Sequence, residues 1–294
     1  MTFNPNADVS GNKVRRRGRT AAIAGGGTVG ILGIIALIAG PILGIDLSPL
    51  VGLGQQGTSQ GQQGGGQETA ISECETGADA NDADDCRIAA TTLALDSYWD
   101  DHVEGYSEPE TIVVDGSTAT ACGTASNQVG PFYCPADQGV YIDPTFFQIL
   151  RQQFGATGGE LAQVYILAHE YGHHVQHLTG VMEDHPNNGT GPESNGVRTE
   201  LQADCYAGSF ISGMTEQVDP NGVPYLKKPT ETQLEDALNA ALSVGDDHIQ
   251  EQSGFVNPES FTHGTSDQRQ FWFANGYKNG LGTCDTFAPG VDLR

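Results

Sequence analysis

Four histidines and one glutamate lie close together in ILAHEYGHHVQHLTG, residues 166–180. His169, Glu170 and His173 form an H-E-x-x-H pattern. Residues i and i+4 of a helix share one face, so both histidines can bind the same metal ion. Glu170 is rotated from that pair by one residue, so its carboxylate can reach a water molecule rather than the ion. The pattern predicts a zinc site with Glu170 as catalytic base.

A third ligand is predicted on another helix. A catalytic zinc ion takes three protein ligands and keeps one position for water. Glu200 and Asp204 in RTELQADCYAG are four residues apart, on one face of a predicted helix. The loop-like residues 180–196 allow the two helices to pack side by side. We therefore expect Glu200 to be the third ligand, and Asp204 to accept a hydrogen bond from the outer nitrogen of a ligand histidine.

Other roles for these residues stay open at this point. His173 and His177 form an alternative i, i+4 pair, but no acidic residue follows the first histidine of that pair. His174 and His177 are otherwise expected to be packing or surface residues. Glu200 and Asp204 alone would also fit an exposed acidic helix face. Their combination with H-E-x-x-H favours the metal site.

The charge balance argues against nucleic-acid binding. The 294 residues include 13 basic and 37 acidic side chains, for a formal net charge of −24. All five basic residues before residue 20 lie in KVRRRGR, so the rest of the chain is more acidic still. Such a surface repels phosphate backbones. It indicates solubility outside the cell, with attraction to cationic substrates as the alternative.

The chain divides into parts of different composition. Residues 20–45 carry no charge and exceed the roughly 20 residues that cross a bilayer as a helix. Basic residues precede them, which predicts a single-pass anchor (20–46) with a cytoplasmic basic N-terminus (1–19). A cleaved signal peptide is the alternative. A flexible Gly/Gln-rich linker (47–67) and an extracytoplasmic domain (68–294) follow, so the predicted location is the cell membrane.

Apolar periodicity predicts an α+β domain in which helices dominate. Helices are expected in DCRIAATTLALDSYWDDHV, PTFFQILRQQFG, the stretch with H-E-x-x-H, GVRTELQADCYAGSFISGM, TETQLEDALNAAL and TSDQRQFWFANGYKNG. Short strands are expected in ETIVVDG and QGVYID. The acidic run DANDADD fails the EF-hand template for calcium and is predicted to be a solvated loop.

The six cysteines predict disulfides, because an even number lies on the extracytoplasmic side of the predicted anchor. Six cysteines allow 15 pairings in principle. Proximity in the sequence favours Cys74–Cys86 and Cys122–Cys134, which leaves Cys205–Cys284. The chain contains no C-x-x-C, so a cysteine zinc site is not expected.

The segments HEYGHHVQ and ELQADCYAG resemble the family described as putative neutral zinc metallopeptidases, which are bacterial membrane-anchored proteins. TACGTASNQVGPFYCPADQGVYIDPTFF and THGTSDQRQFWFANGY are also similar to that family. The resemblance covers about residues 68–294, and includes the basic patch and the apolar run. It implies a zincin-like fold of the glutamate-ligand group. It also implies three metal ligands, a base and a histidine-orienting carboxylate: His169, His173, Glu200, Glu170 and Asp204.

The predicted function is zinc-dependent hydrolysis of peptide or protein substrates, with a zinc-bound water activated by Glu170. A second donor to the developing oxyanion is expected at His263 in THGTSDQR, with Arg269 and Tyr206 behind it. A plain helix-entry loop is an equal alternative for His263. By analogy with zincins, residues 131–134 are expected to be an edge strand that pairs with the substrate backbone.

Two other functions are compatible with these residues. One is a non-catalytic surface binding protein in which a fourth protein ligand completes the coordination of zinc. His174 and Cys205 are the candidates for that ligand. The other is a zinc amidase that acts on a cell-wall amide. The sequence specifies neither the natural substrate nor the oligomeric state.

Overall fold

The computed structural model describes residues 2–18, 68–252 and 254–294. The predicted anchor (20–46) and the predicted linker (47–67) lie outside these residues. In the part of the chain that is described, no helix is both long enough and apolar enough to cross a membrane.

The described residues form a mixed structure of helices and short strands, as predicted. The helices are α1 (Gly77–Asp82), α2 (Asp84–His102), α3 (Phe146–Gln153), α4 (Glu160–Leu178), α5 (Val181–Asp184), α6 (Asn195–Gly213), α7 (Glu231–Ser243), α8 (Asp246–Glu251) and α9 (Ser266–Asn279). Short 3₁₀ turns occupy Pro258–Ser260 and Leu281–Thr283. The prediction of a loop in DANDADD is wrong. Thr76 forms a capping box with Asp79 and starts α1, whose Ala80 is fully buried.

The strands form one five-stranded sheet and a separate hairpin. They are β1 (Arg15–Arg17), β2 (Glu68–Ala70), β3 (Glu110–Val114), β4 (Ser117–Thr120), β5 (Gly123–Ser126), β6 (Phe132–Cys134) and β7 (Gly139–Ile142). The sheet has the order β2-β1-β3-β7-β6. β1, β3 and β7 are parallel, whereas β2 and β6 run antiparallel to their neighbours at the two edges. β4 and β5 pair only with each other in the described sheets.

Residues 2–18 are part of the same fold, which the sequence analysis did not predict. The predicted domain starts at residue 68, and residues 1–19 were predicted to be a separate cytoplasmic segment. In the structure, Phe3 and Val9 are fully buried in the main core. β1 lies in the interior of the sheet, between β2 and β3. The folded unit therefore joins two segments of the chain that the undescribed residues 19–67 separate.

Helices α4, α6 and α9 pack together and carry the site. α4 comes close to α6 at Gly172, where a Cβ atom would lie 3.1 Å from the Cα of Ala203. α6 and α9 approach closer still at Gly208 and Gly276. A Cβ on Gly208 would lie 2.0 Å from the carbonyl oxygen of Phe273, so only glycine fits there. These contacts fix the distance between the helix that holds two histidines and the helix that holds Glu200.

The structure confirms the predicted disulfides, Cys74–Cys86, Cys122–Cys134 and Cys205–Cys284. Cys122–Cys134 connects the β4–β5 hairpin to β6. Cys205–Cys284 connects α6 to the C-terminal segment, next in sequence to Asp204. It closes the longest of the three loops, and that loop contains α7, α8 and α9.

Candidate metal centre

The three predicted ligands come together between α4 and α6. Ligand atoms of His169, His173 and Glu200 all lie within 4.8 Å of one another. Glu200 Oε2 is 3.1 Å from His169 Nε2, and Glu200 Oε1 is 3.5 Å from His173 Nε2. Two imidazole nitrogens and one carboxylate oxygen are a donor set that zinc takes at catalytic sites. These residues therefore fit a zinc ion.

Local sequence sets the position of each ligand. α4 is apolar around most of its circumference, so the helix is buried and its histidines are held in the interior. α6 begins where the Ser194 side chain accepts a hydrogen bond from the backbone N–H of Val197. This cap places Glu200 in the second turn of α6. Thr265 forms a capping box with Gln268 and starts α9, which places Arg269 one turn further on.

His169 is oriented by a buried carboxylate. Its Nδ1 donates to Asp204 Oδ1 at 2.9 Å, and Asp204 is fully buried. A carboxylate only accepts hydrogen bonds, so Nδ1 carries the proton and Nε2 keeps its lone pair for a metal. Tyr165 donates to the same oxygen at 2.6 Å, and Arg269 Nε donates to Asp204 Oδ2 at 2.8 Å. The predicted role of Asp204 therefore has the geometry it requires.

Charges around Asp204 shift the pKa values of the group. Burial would raise the pKa of Asp204, but Arg269 and His169 outweigh burial and lower it to about 2. Burial would also lower the pKa of His169, but Asp204 and then Glu200 raise it. The pKa of Glu200 is well below its usual value in spite of burial, mainly because of His173 and His263. Both carboxylates are therefore ionised at neutral pH.

His173 is oriented by a neutral amide that the sequence analysis missed. Its Nδ1 lies 2.8 Å from Gln176 Oε1. The Gln176 amide nitrogen donates to the carbonyl of Thr199 and to Gln202 Oε1, so the oxygen must face the histidine. His173 Nδ1 therefore carries its proton, and Nε2 is left for a metal. No motif marks Gln176; only its position three residues after His173 could have suggested a contact.

Glu170 is buried next to the edge of the sheet. The backbone N–H of Tyr133 donates to Glu170 Oε2 at 2.8 Å. Tyr133 lies in β6, the edge strand that was expected at residues 131–134. The bond uses one carboxylate oxygen, so the other is available to accept a proton. The side chain predicted to be the base thus sits between the ligand helix and an edge strand.

His174 and His177 do not join the ligands. His174 is fully buried, and its Nε2 donates to the carbonyl of Ser107 at 2.6 Å. The Tyr133 hydroxyl lies 3.1 Å from His174 Nδ1 and 2.7 Å from His177 Nδ1. Burial is the main cause that lowers the pKa of His174. Both histidines therefore hold β6 against α4, and their predicted packing role fits these contacts.

His263 lies in a loop that Asp246 holds. Asp246 Oδ2 accepts backbone N–H bonds from Thr262 at 2.6 Å, from His263 at 2.6 Å and from Gly264 at 3.0 Å. The His263 side chain is 48% exposed, and its Nδ1 faces Thr262 Oγ1 at 2.8 Å. Burial of the ring opposes its charge, but Glu200 and Asp246 raise the pKa of His263. The imidazole therefore belongs to the surroundings of the metal ligands.

Arg269 and Tyr206, expected behind His263, have contacts of their own in the structure. The Arg269 guanidinium is buried and binds Asp204, with a further bond of 3.3 Å to the Tyr165 hydroxyl. The Tyr206 ring packs edge-to-face against Trp99, with centroids 5.4 Å apart. Burial raises the pKa of Tyr206 to about 12. Arg269 thus acts on the ligands through Asp204.

Comparison with known proteins identifies the family. The model of the family described as putative neutral zinc metallopeptidase matches residues 6–287. The uncharacterized protein Rv2575 of Mycobacterium tuberculosis is 48% identical over 221 residues, which are 74% of this chain and 75% of that protein. The uncharacterized protein YpfJ of Escherichia coli is 39% identical over 274 residues, 89% of this chain and 87% of that protein. No solved structure gives a significant match.

The chain belongs to the putative neutral zinc metallopeptidase family, as its motifs predicted. The match begins at residue 6 and so includes the N-terminal segment as well as the metal centre. The family name implies zinc, and the His/His/Glu group fits that ion.

Proposed function

We propose that the protein is a zinc-dependent peptidase in which His169, His173 and Glu200 hold the ion and Glu170 is the base. The observation that carries the proposal is the three-residue donor set, with a buried carboxylate beside it on the same helix. Three protein ligands are typical of a catalytic zinc site, whereas a structural site is closed by a fourth. A zincin-like fold of the glutamate-ligand group is part of this proposal.

The candidates for a fourth ligand are occupied elsewhere. Cys205 is bonded to Cys284, so its sulfur is not a free thiolate. His174 uses both ring nitrogens, one on Ser107 and the other on Tyr133. Across residues 2–18, 68–252 and 254–294, the only group of three or more suitable side chains is His169, His173 and Glu200. This favours a hydrolase over a binding protein in which a fourth protein ligand completes the coordination of zinc.

The side chains around the ligands fit amide hydrolysis. A bound zinc ion would supply Lewis acidity, which lowers the pKa of a coordinated water to near 7 and polarises the scissile carbonyl. Glu170 accepts a proton from the attacking water and donates it to the leaving amine. Asp204 and Gln176 keep the outer nitrogens of the two histidines protonated. His263, with its Nδ1 engaged, donates from its other nitrogen to the developing oxyanion.

The substrate is proposed to be a peptide or protein that binds along β6. β6 is an edge strand, so backbone groups on its outer side other than the Tyr133 N–H, which donates to Glu170, can pair with an extended chain. The contact between Tyr133 and Glu170 places that edge next to the base. Backbone pairing reads little side-chain sequence, so specificity is expected to be broad. The three disulfides support a location outside the cytoplasm.

The test compares the full-length protein with Glu170→Gln, using zinc content and cleavage of casein as the two readouts. We expect about one zinc per chain in both proteins and cleavage in the wild type alone. The loss in the variant should be at least about 100-fold, since general base catalysis contributes on the order of 10²–10⁴. Glu183→Gln removes an exposed carboxylate from α5 and is the matched control with unchanged activity.

The remaining outcomes separate the alternatives. Zinc in both proteins without cleavage of casein would reject a general peptidase. A cell-wall amide would then be tested as substrate, and its Glu170-dependent cleavage would identify an amidase. Binding without any turnover would identify a surface binding protein. Absence of zinc from the wild type would reject the metal centre itself.

A further inference from the structure

The N-terminal segment is built into the domain that carries the metal centre. The backbone N–H of Val9 donates to the carbonyl of Glu75 at 2.9 Å, and that of Lys227 donates to the carbonyl of Thr2 at 2.8 Å. The backbone N–H of Thr2 also donates to Glu160 Oε2 at 2.6 Å, in the first turn of α4. Buried apolar side chains of this segment complete the main core. The segment therefore supports the helix that carries both histidines.

β1 occupies an interior position in the sheet. It pairs antiparallel with β2 and parallel with β3, so both of its edges are used. Within the described sheets, β2 has no other partner. Removing β1 would detach β2 and expose the edge of β3, which leaves unpaired backbone groups. The sheet is complete only when residues 15–17 and residues 68–114 are on the same side of any membrane.

Four of the five basic residues that predicted a cytoplasmic N-terminus are paired within the domain, and the fifth, Arg19, lies outside the described residues. The pairs are Lys13 with Glu108, Arg15 with Glu68 and Glu110, Arg16 with Glu73 and Asp85, and Arg17 with Glu68. Exposed pairs of this kind add little stability individually. In each pair, however, the cation precedes residues 19–67 in the sequence and the carboxylate follows them. The fold thus gives these charges a role that does not require the cytoplasm.

The chain leaves and re-enters the domain at one corner. Arg17 is the register partner of Glu68, at the ends of β1 and β2. Residues 19–67 therefore begin and end at neighbouring points. A single helical crossing of the roughly 30 Å hydrocarbon core would place its two ends on opposite faces. Residues 2–18 and residues 68–294 would then lie on opposite faces, where the pairing of β1 with β2 and β3 could not form.

We propose that residues 2–18 and the metal centre lie on the same side of the membrane. Only Arg19 separates Gly18 from the apolar run. The corner of the domain formed by Gly18 and Glu68 is therefore the corner that faces the lipid. This arrangement replaces the single-pass topology that charge alone predicted. It does not depend on the metal chemistry.

The test uses the full-length protein in spheroplasts of a bacterial host and a membrane-impermeant maleimide. All six native cysteines are in disulfides, so the wild type is the unlabelled blank. Asn6→Cys reports on the N-terminal segment, and Glu104→Cys reports on the body of the domain. Both positions are exposed. We expect the two variants to be labelled to the same extent, within about twofold, before the membrane is disrupted.

Unequal labelling would overturn the proposal. In particular, labelling of Glu104→Cys in intact spheroplasts with labelling of Asn6→Cys only after lysis would establish a single crossing. If both variants were labelled only after lysis, the same-side placement would stand. The extracytoplasmic location given under the proposed function would then be the part that fails.

A second measurement tests the role of β1 directly. Replacing residues 18–67 by an Asn-Gly turn joins Arg17 to Glu68 as a two-residue hairpin. This variant should fold, remain in solution without detergent and keep its zinc. A chain that starts at residue 68 lacks β1 and should show a Tm lower by at least roughly 10 °C. Equal Tm and zinc content in the two variants would contradict the proposal.

Discussion

The two ligand histidines are held by groups of different charge. His169 donates to Asp204, a buried carboxylate that Arg269 neutralises from α9. His173 donates to Gln176, an amide that is bonded only to neutral groups of α6. One ligand therefore depends on an ion pair that joins three helices, and the other on a neutral network between two.

This difference shows that two histidine ligands can be oriented by partners that differ in how much charge must be compensated in the interior. A carboxylate partner increases the basicity of its histidine but must be compensated when it is buried. An amide fixes the same tautomer without a counter-ion, and its hydrogen bond is weaker. The His169 side should therefore contribute more to metal affinity, and the His173 side should be less sensitive to substitution.

The largest effect is expected from Asp204→Asn. Loss of the carboxylate should weaken zinc binding by roughly 10–100-fold, as is typical of groups that orient a ligand. It also leaves Arg269 buried without its partner, which should cost about 3–5 kcal/mol in the free energy of unfolding. Zinc affinity is measured by competition with a chromophoric chelator, and stability by urea unfolding.

The double variant Asp204→Asn with Arg269→Gln separates these two effects. It removes both charges, so stability should largely return while zinc affinity stays low. Recovery of wild-type affinity in the double variant would show that Asp204 serves only to balance Arg269, and the difference between the two histidines would then have no consequence for the metal.

A smaller effect is expected from pH in the metal-free protein. The pKa of His169 is raised to about 10, so its proton stabilises the fold fully below the unfolded value near 6.5. That stability is lost as pH rises from 6.5 towards 10. The urea midpoint should fall over this range. Because zinc displaces the proton, the zinc-loaded protein should lack the trend; an identical slope with and without zinc would count against it.

The smallest effect is expected from Gln176→Ala. The variant removes a neutral hydrogen bond from His173, so zinc affinity should fall by about tenfold or less, near the lower limit for such groups. Gln163→Ala is the matched control, because it removes a buried amide from the same helix without touching a ligand. A loss as large as that of Asp204→Asn would show that the amide matters as much as the carboxylate.

Local sequence predicted those residues of the site that are spaced four apart on a helix. His169 and His173 on one helix, with Glu200 and Asp204 on another, needed only the i, i+4 rule and two helices packed together. Gln176 was missed because glutamine has no characteristic spacing in metal sites. Arg269 was found near the site, but its bond to Asp204 was not predicted, because that bond is set by the packing of α9 on α6 and not by local sequence.

The prediction of the fold failed where contacts are distant in sequence. The main helices follow from periodicity, which is a local property. β1 contains three arginines and has no alternation of polar and apolar residues. Its identity as a strand comes from pairing with β3, nearly one hundred residues away in the chain. Charge next to an apolar run was a reasonable indicator of topology, but it carried no information about that pairing.

Gly172, inside the H-E-x-x-H motif, bears on which metal ion the site prefers. Its missing side chain lets the axis of α4 approach Ala203 on α6, so the spacing of the helices fixes the distance between the imidazoles and Glu200. Ions differ in bond length by only a few tenths of an ångström: zinc–oxygen bonds measure about 2.0–2.2 Å and calcium–oxygen bonds about 2.3–2.6 Å. A methyl group at position 172 would separate the helices by a comparable amount. We therefore expect Gly172 to influence metal selectivity, although it has no side chain with which to bind a metal.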